Sequence, residues 1–383
     1  QNLSWTGGSF FLETSAQRMD LFSEHKYSWQ TSPIMIGYRQ SLFGYNSLKW
    51  DKRIEPVRYQ EAKKSYVETL ELVSANAINK FFALATAQSN YDIASFNYAN
   101  ADTLYRYAQG RYNIGTITEN EMLQLELNRL TEETNRMNAR IEMDNCMQEL
   151  RSYLGIQEER EIRVRVSSRI PDFSINLNEA LALAYENSPD IQTMKRRKLE
   201  SESAVARARA NAGLKADIYL RFGLTQTADK LPEAYRNLLD QQYVSLSISL
   251  PILDWGRGKG QVRVARSNRD LVYTQVEQNR TDFELNVRKL VKQFNLQTQR
   301  VRIAARTDET AQRRNEVARK LYILGKSTIL DLNASISEKD SARRNYVSAL
   351  YNYWSLYYTL RSMTLYDFES NKLLTEDYNL LIE

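Results

Sequence analysis

The placement of six prolines constrains this chain more than any other feature of it. They stand at Pro33, Pro56, Pro171, Pro189, Pro232 and Pro251, which leaves residues 57–170 and 252–383 without one. Glycine is nearly as scarce there: the first stretch holds only Gly110, Gly115 and Gly155, and past Gly260 the second holds only Gly325. Proline breaks helix interiors and glycine weakens them, so stretches this free of both predict long helices. The expected elements are a helix from about 57 to 108, a break near Gly110–Gly115 and a helix from about 118 to 153. The pattern returns as a helix from about 259 to 321, a break at Gly325 and a helix from about 328 to 363. At ~1.5 Å per residue, about 50 to 60 residues make a rod of roughly 75–95 Å, which must pack along its length as a coiled coil. Tyr346, Leu350, Tyr353, Tyr357 and Leu360 step by 4, 3, 4 and 3, a heptad seam whose tyrosines suit a broad interface among several helices.

The two halves superimpose at an offset of 210 residues, since 322 − 112 = 210, without a gap. Tyr112-Asn113-Ile114-Gly115 falls on Tyr322-Ile323-Leu324-Gly325, Thr118 on Thr328, and Leu150-Arg151-Ser152 on Leu360-Arg361-Ser362. Asn76, Ile93, Ala94, Asn135 and Ala139 also meet identical residues. A register that never slips, with coincident helix breaks, points to an internal duplication.

The same offset aligns what precedes the helices. Val244, Leu246, Ile248 and Leu250 alternate with Ser245, Ser247 and Ser249. Ile34, Ile36 and Tyr38 alternate with Met35, Gly37 and Arg39, and Ile218, Leu220, Phe222 and Leu224 with Tyr219, Arg221, Gly223 and Thr225. Phe10 and Leu12 hold the corresponding place in the first half. These are period-2 strands, two per repeat and four per chain. At ~9–11 residues each is long enough to cross a bilayer if tilted. Four such strands could also form an ordinary small sheet covered by a loop. In lipid the open sheet edges would have to close by oligomerisation.

Composition removes most other classes. No run approaches the ~18 apolar residues of a spanning helix, and mean hydropathy is −0.57. The net charge, 52 − 47 = +5, is spread along the chain and is no nucleic-acid signature. One cysteine, Cys146, excludes a disulfide framework and reads as a small buried residue; one histidine, His25, leaves little room for a zinc site or a hydrolytic triad. Gly325-Lys326-Ser327 matches the end of a phosphate loop, but Lys320 stands where the first glycine is needed and helices flank it. Gly256, Gly258 and Gly260 read as a flexible strand-to-helix junction, and the basic residues around Lys195–Lys198, Arg207 and Arg209 as solvated surface. No enzyme, cofactor or metal is expected.

Taken in order, these features resemble the TolC-like outer-membrane efflux proteins. The marks are the duplication, the junction Leu250-Pro251-Ile252-Leu253-Asp254-Trp255-Gly256-Arg257, the helix break Tyr322-Ile-Leu-Gly-Lys-Ser-Thr-Ile-Leu-Asp331, and Leu177-Asn-Glu-Ala-Leu-Ala-Leu-Ala-Tyr-Glu-Asn-Ser-Pro189, which is similar to that family's repeat opening. The fold class is then mainly α with a small β part: long antiparallel coiled-coil helices plus four amphipathic strands. The resemblance implies a homotrimer with a 12-strand β-barrel in outer-membrane lipid, continuing into an α-helical tunnel through the periplasm. It would serve multidrug efflux or type I secretion beside a periplasmic adaptor and an inner-membrane transporter.

The division expected is a first repeat at 1–155, with strands at about 6–40 and a helical hairpin at about 57–153. A linker at 156–176 and a C-terminal segment at 364–383 would form an equatorial belt. The second repeat, 177–363, would hold an opening helix at 177–211, strands at about 216–250 and a hairpin at about 259–363. By subtraction, 177 − 210 = −33 and 211 − 210 = 1, so the first half's opening helix is missing and the sequence is expected to be N-terminally trimmed, which also accounts for the absent signal peptide. Gly213-Leu214 stands where the family often has Leu-Pro.

In the family, acidic rings and bonds between neighbouring hairpins close the periplasmic tip. The principal aspartate matches Asp331, the other hairpin's acidic partner Glu121, the tyrosine it bonds Tyr322, and the neighbouring polar position Asn120. A second aspartate falls on Ala334, and an arginine of the closing link on Ser327, for which Lys326 could stand in. Carboxylates converging on one axis repel one another and attract cations. Asp331 and Glu121 equally suit plain helix caps, since acids near a helix start are favoured by its dipole. Gly115, Gly325 and Lys326 would form the hairpin tips where an adaptor docks. Tyr45, Trp50 and Trp255, at strand-to-helix junctions, match an aromatic belt at the membrane interface, and His25 would face outside the cell. A different class, a periplasmic coiled-coil scaffold or tether with a small strand cap, would tolerate charges on both sheet faces. Arg39 and Arg221 lie only opposite the apolar face, which favours the channel.

Overall fold

A computed structural model describes residues 3, 5–23, 26–158, 161–167, 170–250, 253–324 and 326–374. The elements are β1 (Ser9–Leu21), β2 (Lys26–Ser41), α1 (Ser47–Asn113), α2 (Glu119–Tyr153), α3 (Leu177–Asn187), α4 (Pro189–Ala212), β3 (Lys215–Ala228), β4 (Leu239–Ser249), α5 (Arg257–Ile323), α6 (Ile329–Thr364) and a minimal hairpin of β5 (Tyr366–Asp367) and β6 (Lys372–Leu373). A 3-10 turn, Glu233–Tyr235, lies between β3 and β4. None of the described helices is long and apolar enough to cross a membrane. The fold is mainly helical with a small antiparallel sheet. His25, Pro251, Ile252 and Gly325 lie outside the described residues.

Two helices of 67 residues stand where unpunctuated sequence demands them. Their ends sit 257 − 47 = 210 and 323 − 113 = 210 residues apart. Three boundaries differ from expectation. α1 begins at Ser47 rather than near 57 and carries Pro56 inside it. An interior proline costs ~3 kcal/mol; here the segment is held on both sides, by buried Ile54 and by Glu61, which binds Arg196 of α4 through two bonds of 2.6 and 3.0 Å. Gly110 stays helical, because a glycine penalty of about 1 kcal/mol does not end a packed helix; the break falls at residues 114–118. The single opening helix expected over 177–211 is instead two, because Pro189 pushes Ser188 to an extended ψ of 136° and then opens α4.

The chain forms two compact units, Gln1–Lys63 with Pro189–Asp282, and Lys64–Ser188 with Phe283–Glu383. The first contains the four-stranded sheet, in the order β1-β2-β3-β4 and antiparallel throughout. One face carries the registered rows Phe10–Tyr38–Leu220–Val244 and Leu12–Ile36–Phe222. Leu12, Ile36, Phe222, Val244, Leu246 and Ile248 are exposed by 47–75 %. The other face is polar and aromatic: Phe11 stacks on Tyr219 at 5.6 Å, and the Arg221 guanidinium lies 5.5 and 5.2 Å from the rings of Tyr219 and Tyr243. Gly37 makes this face possible, since a Cβ there would stand 2.1 Å from the Phe11 ring. β1 and β4 are the two open edges.

In the second unit, α2 packs on α1 through a core of Leu84, Ala87, Met143 and Leu150. α1 packs on α6 through Phe82–Tyr351 and the bond from Asn97 to Asp340. α6 packs on α5, where Gln297 donates to the Ala349 carbonyl and Asn315 bonds Ser335. All five residues of the heptad seam on α6 are buried, Tyr353 and Leu360 completely. Tyr353 lies 5.1 Å from Phe294, and its hydroxyl donates to the Pro171 carbonyl. Within the expected belt, residues 161–167 run extended and are clamped by Gln88, which accepts from the Val164 N–H and donates to the Ile162 carbonyl.

Candidate functional site

The two helix breaks are built alike. After α1, Gly115 takes the left-handed conformation (φ 71°), and the Thr116 N–H returns to the Arg111 carbonyl at 2.9 Å. The equivalent bond after α5 runs from the Lys326 N–H to Leu321, also at 2.9 Å. Each following helix opens with a capping box. The Thr118 hydroxyl accepts from the Glu121 N–H at 3.2 Å, while the Glu121 carboxylate accepts from the Thr118 N–H at 3.0 Å. Thr328 and Asp331 repeat it at 3.2 and 3.4 Å.

Asp331 has more donors than its counterpart. The Thr328 hydroxyl reaches its Oδ2 at 2.7 Å and the Ser327 hydroxyl at 3.3 Å. The hydroxyl and N–H of Thr328, with Ser327, hold this carboxyl below its ordinary value of 3.8. Ser327, standing where the resemblance would put an arginine, thus serves its own cap. Asn120 is exposed beside Glu121, and Lys326 is exposed at the second break.

Tyr322 is half-buried and faces a cleft of about 450 Å³ lined by Asn100, Tyr107 and Arg111 of α1, Arg319 of α5 and Leu332 of α6. The ends of α1 and α5 and the start of α6 therefore meet at one place. No bond joins Tyr322 to Glu121 among the described residues: the tyrosine is in the cleft and the carboxylate on its own cap. The strand-to-helix aromatics are dispersed in their surroundings. The Tyr45 hydroxyl bonds Ser203 and its ring lies under Arg207 at 4.7 Å, Trp50 carries Arg53 at 4.8 Å, and Trp255 is 94 % exposed at a left-handed φ of 52°.

Three constellations escape the sequence patterns. Asp254 accepts from the N–H groups of Gly258 and Gly256 at 2.8 and 3.0 Å, which hold its carboxyl below the usual range and cap α5. Its signal was the Asp ahead of the glycines. Buried Asp340 and Asp308 hold Asn97 and Arg343 across helix interfaces at 2.7 and 3.1 Å. Arg129, Arg136 and Arg140 of α2 lie over Tyr105, Tyr98 and Tyr91 of α1 at 5.5, 4.2 and 5.6 Å; the seven-residue spacing of those tyrosines could have revealed this ladder.

Comparison with known proteins agrees with this architecture. A model of the outer membrane efflux protein family matches residues 180–364. The outer membrane channel CmeC of Campylobacter jejuni superimposes with a TM-score of 0.76 over 99 % of this chain and 81 % of its own, at 15 % identity. VceC of Vibrio cholerae gives 0.72 over 93 % and 86 % at 15 % identity, and the open state of the MtrE channel of Neisseria gonorrhoeae 0.72 over 96 % and 81 % at 13 %. No curated protein sequence matches the chain. The family model thus matches the second half of the chain, and the fold is shared with these channels along nearly all of it.

Proposed function

We propose, for a chain whose residues 180–364 fall in the outer membrane efflux protein family, a passive exit duct in the outer membrane, assembled as a homotrimer of duplicated subunits. It would act as the last stage of a tripartite efflux or type I secretion system, with an adaptor and an inner-membrane transporter supplying energy. The observation that carries this is the two-faced sheet. Its apolar face is exposed along all four strands, its other face holds Glu13, Arg221 and Tyr243, and both edges are open. In water such a face is a liability and in lipid the open edges are, so both are resolved only by closing several sheets into a barrel. Because the order β1-β2-β3-β4 alternates in direction, β4 of one copy meets β1 of the next antiparallel. Three copies give twelve strands.

Asp331 and Glu121 would ring the narrow end, with Tyr322 and Asn120 beside them, and Gly115, Gly325 and Lys326 would meet the adaptor. Tyr45, Trp50 and Trp255 would sit at the membrane interface. The test is single-channel conductance in a planar bilayer, for the full chain and for the Glu121→Ala, Asp331→Ala double variant. A small cation-selective current that rises in the variant supports a gate at the helix breaks. Equal currents would leave the pore and reduce both acids to caps, and no conductance from folded protein would end the channel assignment.

A further inference from the structure

The second unit holds a polar cavity of about 680 Å³, a size ordinary for small-ligand sites. Three of its walls are helix faces. Asp92 and Phe96 of α1 stand 96 − 92 = 4 residues apart, Asp308 and Glu316 of α5 316 − 308 = 8, and Lys339 and Arg343 of α6 343 − 339 = 4, so each pair shares one face. The fourth wall is the extended segment 161–167, where half-buried Ile162, Val164 and Val166 alternate with exposed Arg163 and Arg165. Gln88 fastens that segment to α1 through Ile162 and Val164.

Some charges around this cavity are engaged and others are not. Arg343 holds Asp308 at 3.1 Å, and Arg163 lies 3.7 Å from Glu161. The Lys339 ammonium lies 3.2 Å from Asp340 and 4.4 Å from the centre of the Phe96 ring. Arg165, Asp92 and Glu316 have no ion pair among the described residues. They wall one space from three different elements and do not reach one another. Asp308 adds an unmet acceptor: it is 5 % exposed, its Oδ2 accepts from Arg343, and its Oδ1 has no donor among the described residues. A buried carboxylate satisfied on one side only is costly. Phe96, 44 % exposed, and buried Leu350 give the same cavity an apolar patch.

We propose that this cavity is a binding site for a short basic peptide with a free carboxyl end. The complement of one unengaged guanidinium and two unengaged carboxylates is a ligand with one carboxylate and two cationic groups. A dipeptide ending in lysine carries that pattern in its α-ammonium, side-chain ammonium and terminal carboxylate. Arg165 takes the carboxylate in its planar fork. Asp92 and Glu316, on different helices, take the two ammonium groups, and Phe96 and Leu350 take the apolar side chain. An anion alone would leave both carboxylates unmatched, and a dication alone would leave Arg165 unmatched. The charge pattern thus selects a ligand that joins both signs.

The site is independent of any pore, so its test needs no membrane and its failure would leave the channel reading untouched. Isothermal titration calorimetry of the full chain compares three probes: the dipeptide Leu-Lys, its carboxamide, and Leu-norleucine, which lacks the side-chain ammonium. Leu-Lys should bind saturably, and each of the other two about tenfold more weakly. Arg165→Ala should make the acid and the carboxamide bind alike. Asp92→Asn with Glu316→Gln should make Leu-Lys and Leu-norleucine bind alike. All three side chains are exposed and without an ion pair among the described residues, so the variants keep the fold. Equal binding of acid and carboxamide by the wild type overturns the site, as does a preference that survives its matching variant. Absence of binding by all three probes to folded wild type overturns it as well.

Discussion

α2 and α6 occupy equivalent places, 329 − 119 = 210 residues apart, and open with the same capping box. Beyond that first turn they part. α6 buries Tyr346, Leu350, Tyr353, Tyr357 and Leu360 on one continuous seam. α2 buries Met143 and Leu150 near its end and exposes Leu123, Leu127 and Leu130 near its start. Where α2 has exposed Leu130, α6 has buried Asp340 bound to Asn97. Two helices of one frame have become an interior helix and an edge helix. Start signals and length fix where a helix lies; the chemistry of its outer face fixes what it lies against.

The largest expected effect breaks that comparison at its deepest point. Tyr353→Ala removes a fully buried ring packed on Phe294 and frees the Pro171 carbonyl. It should cost about 3–5 kcal/mol of unfolding free energy. Leu127→Ala, at a site 66 % exposed in the isolated chain, should stay within about 0.5 kcal/mol. Chemical denaturation of dissociated protein checks both. A cost at Leu127 approaching that at Tyr353 would mean that the exposed row of α2 is already covered.

Much of this contrast was legible before any coordinates. The stretches without proline foretold the rods, the 4-3-4-3 steps foretold the buried seam, and period-2 alternation foretold which strand residues share a face. Less legible was anything decided by tertiary contact. Pro56 is carried inside α1 because Glu61 grips Arg196 some 135 residues away, which no local pattern reports. Pro189 broke α4 from α3 by a purely local rule that the helical periodicity overshadowed. At the candidate site, the acids at 121 and 331 were found from the resemblance and from helix-start chemistry together. Their capping role follows from the Thr-x-x-acid spacing, whereas the cleft at Tyr322 depends on three helix ends meeting.

A second, smaller pair of changes turns on the breaks themselves. Gly115 sits at a φ of 71°, with nothing within 4 Å of where a Cβ would stand. Gly115→Ala should therefore cost about 1–2 kcal/mol through backbone strain alone. Gly110, five residues earlier and helical, also faces open space. Gly110→Ala should stabilise the same helix by roughly 0.5–1 kcal/mol. Opposite shifts in unfolding midpoint would place the break at 114–118; two shifts of one sign would move it.

The smallest effect sharpens the comparison between the two caps. Asp331 accepts from Thr328 and Ser327, and these bonds hold its carboxyl below the ordinary 3.8. A carboxyl depressed by folding contributes stability that is present in full above its unfolded value and lost as pH falls through the folded one. The difference in melting temperature between wild type and Asp331→Ala should accordingly stay level from neutral pH down to about pH 5, then shrink below the ordinary value, as the carboxylate takes up a proton and ceases to accept. Ser327→Ala should move that decline to higher pH, because one of the donors that hold the proton off is gone. Thermal melts of the three proteins in steps between pH 7 and pH 2.5 give the answer. A wild-type advantage that instead grows on acidification would mean that Asp331 is protonated more readily when folded, as crowding among several carboxylates would require, and would shift its main role from the cap to the ring.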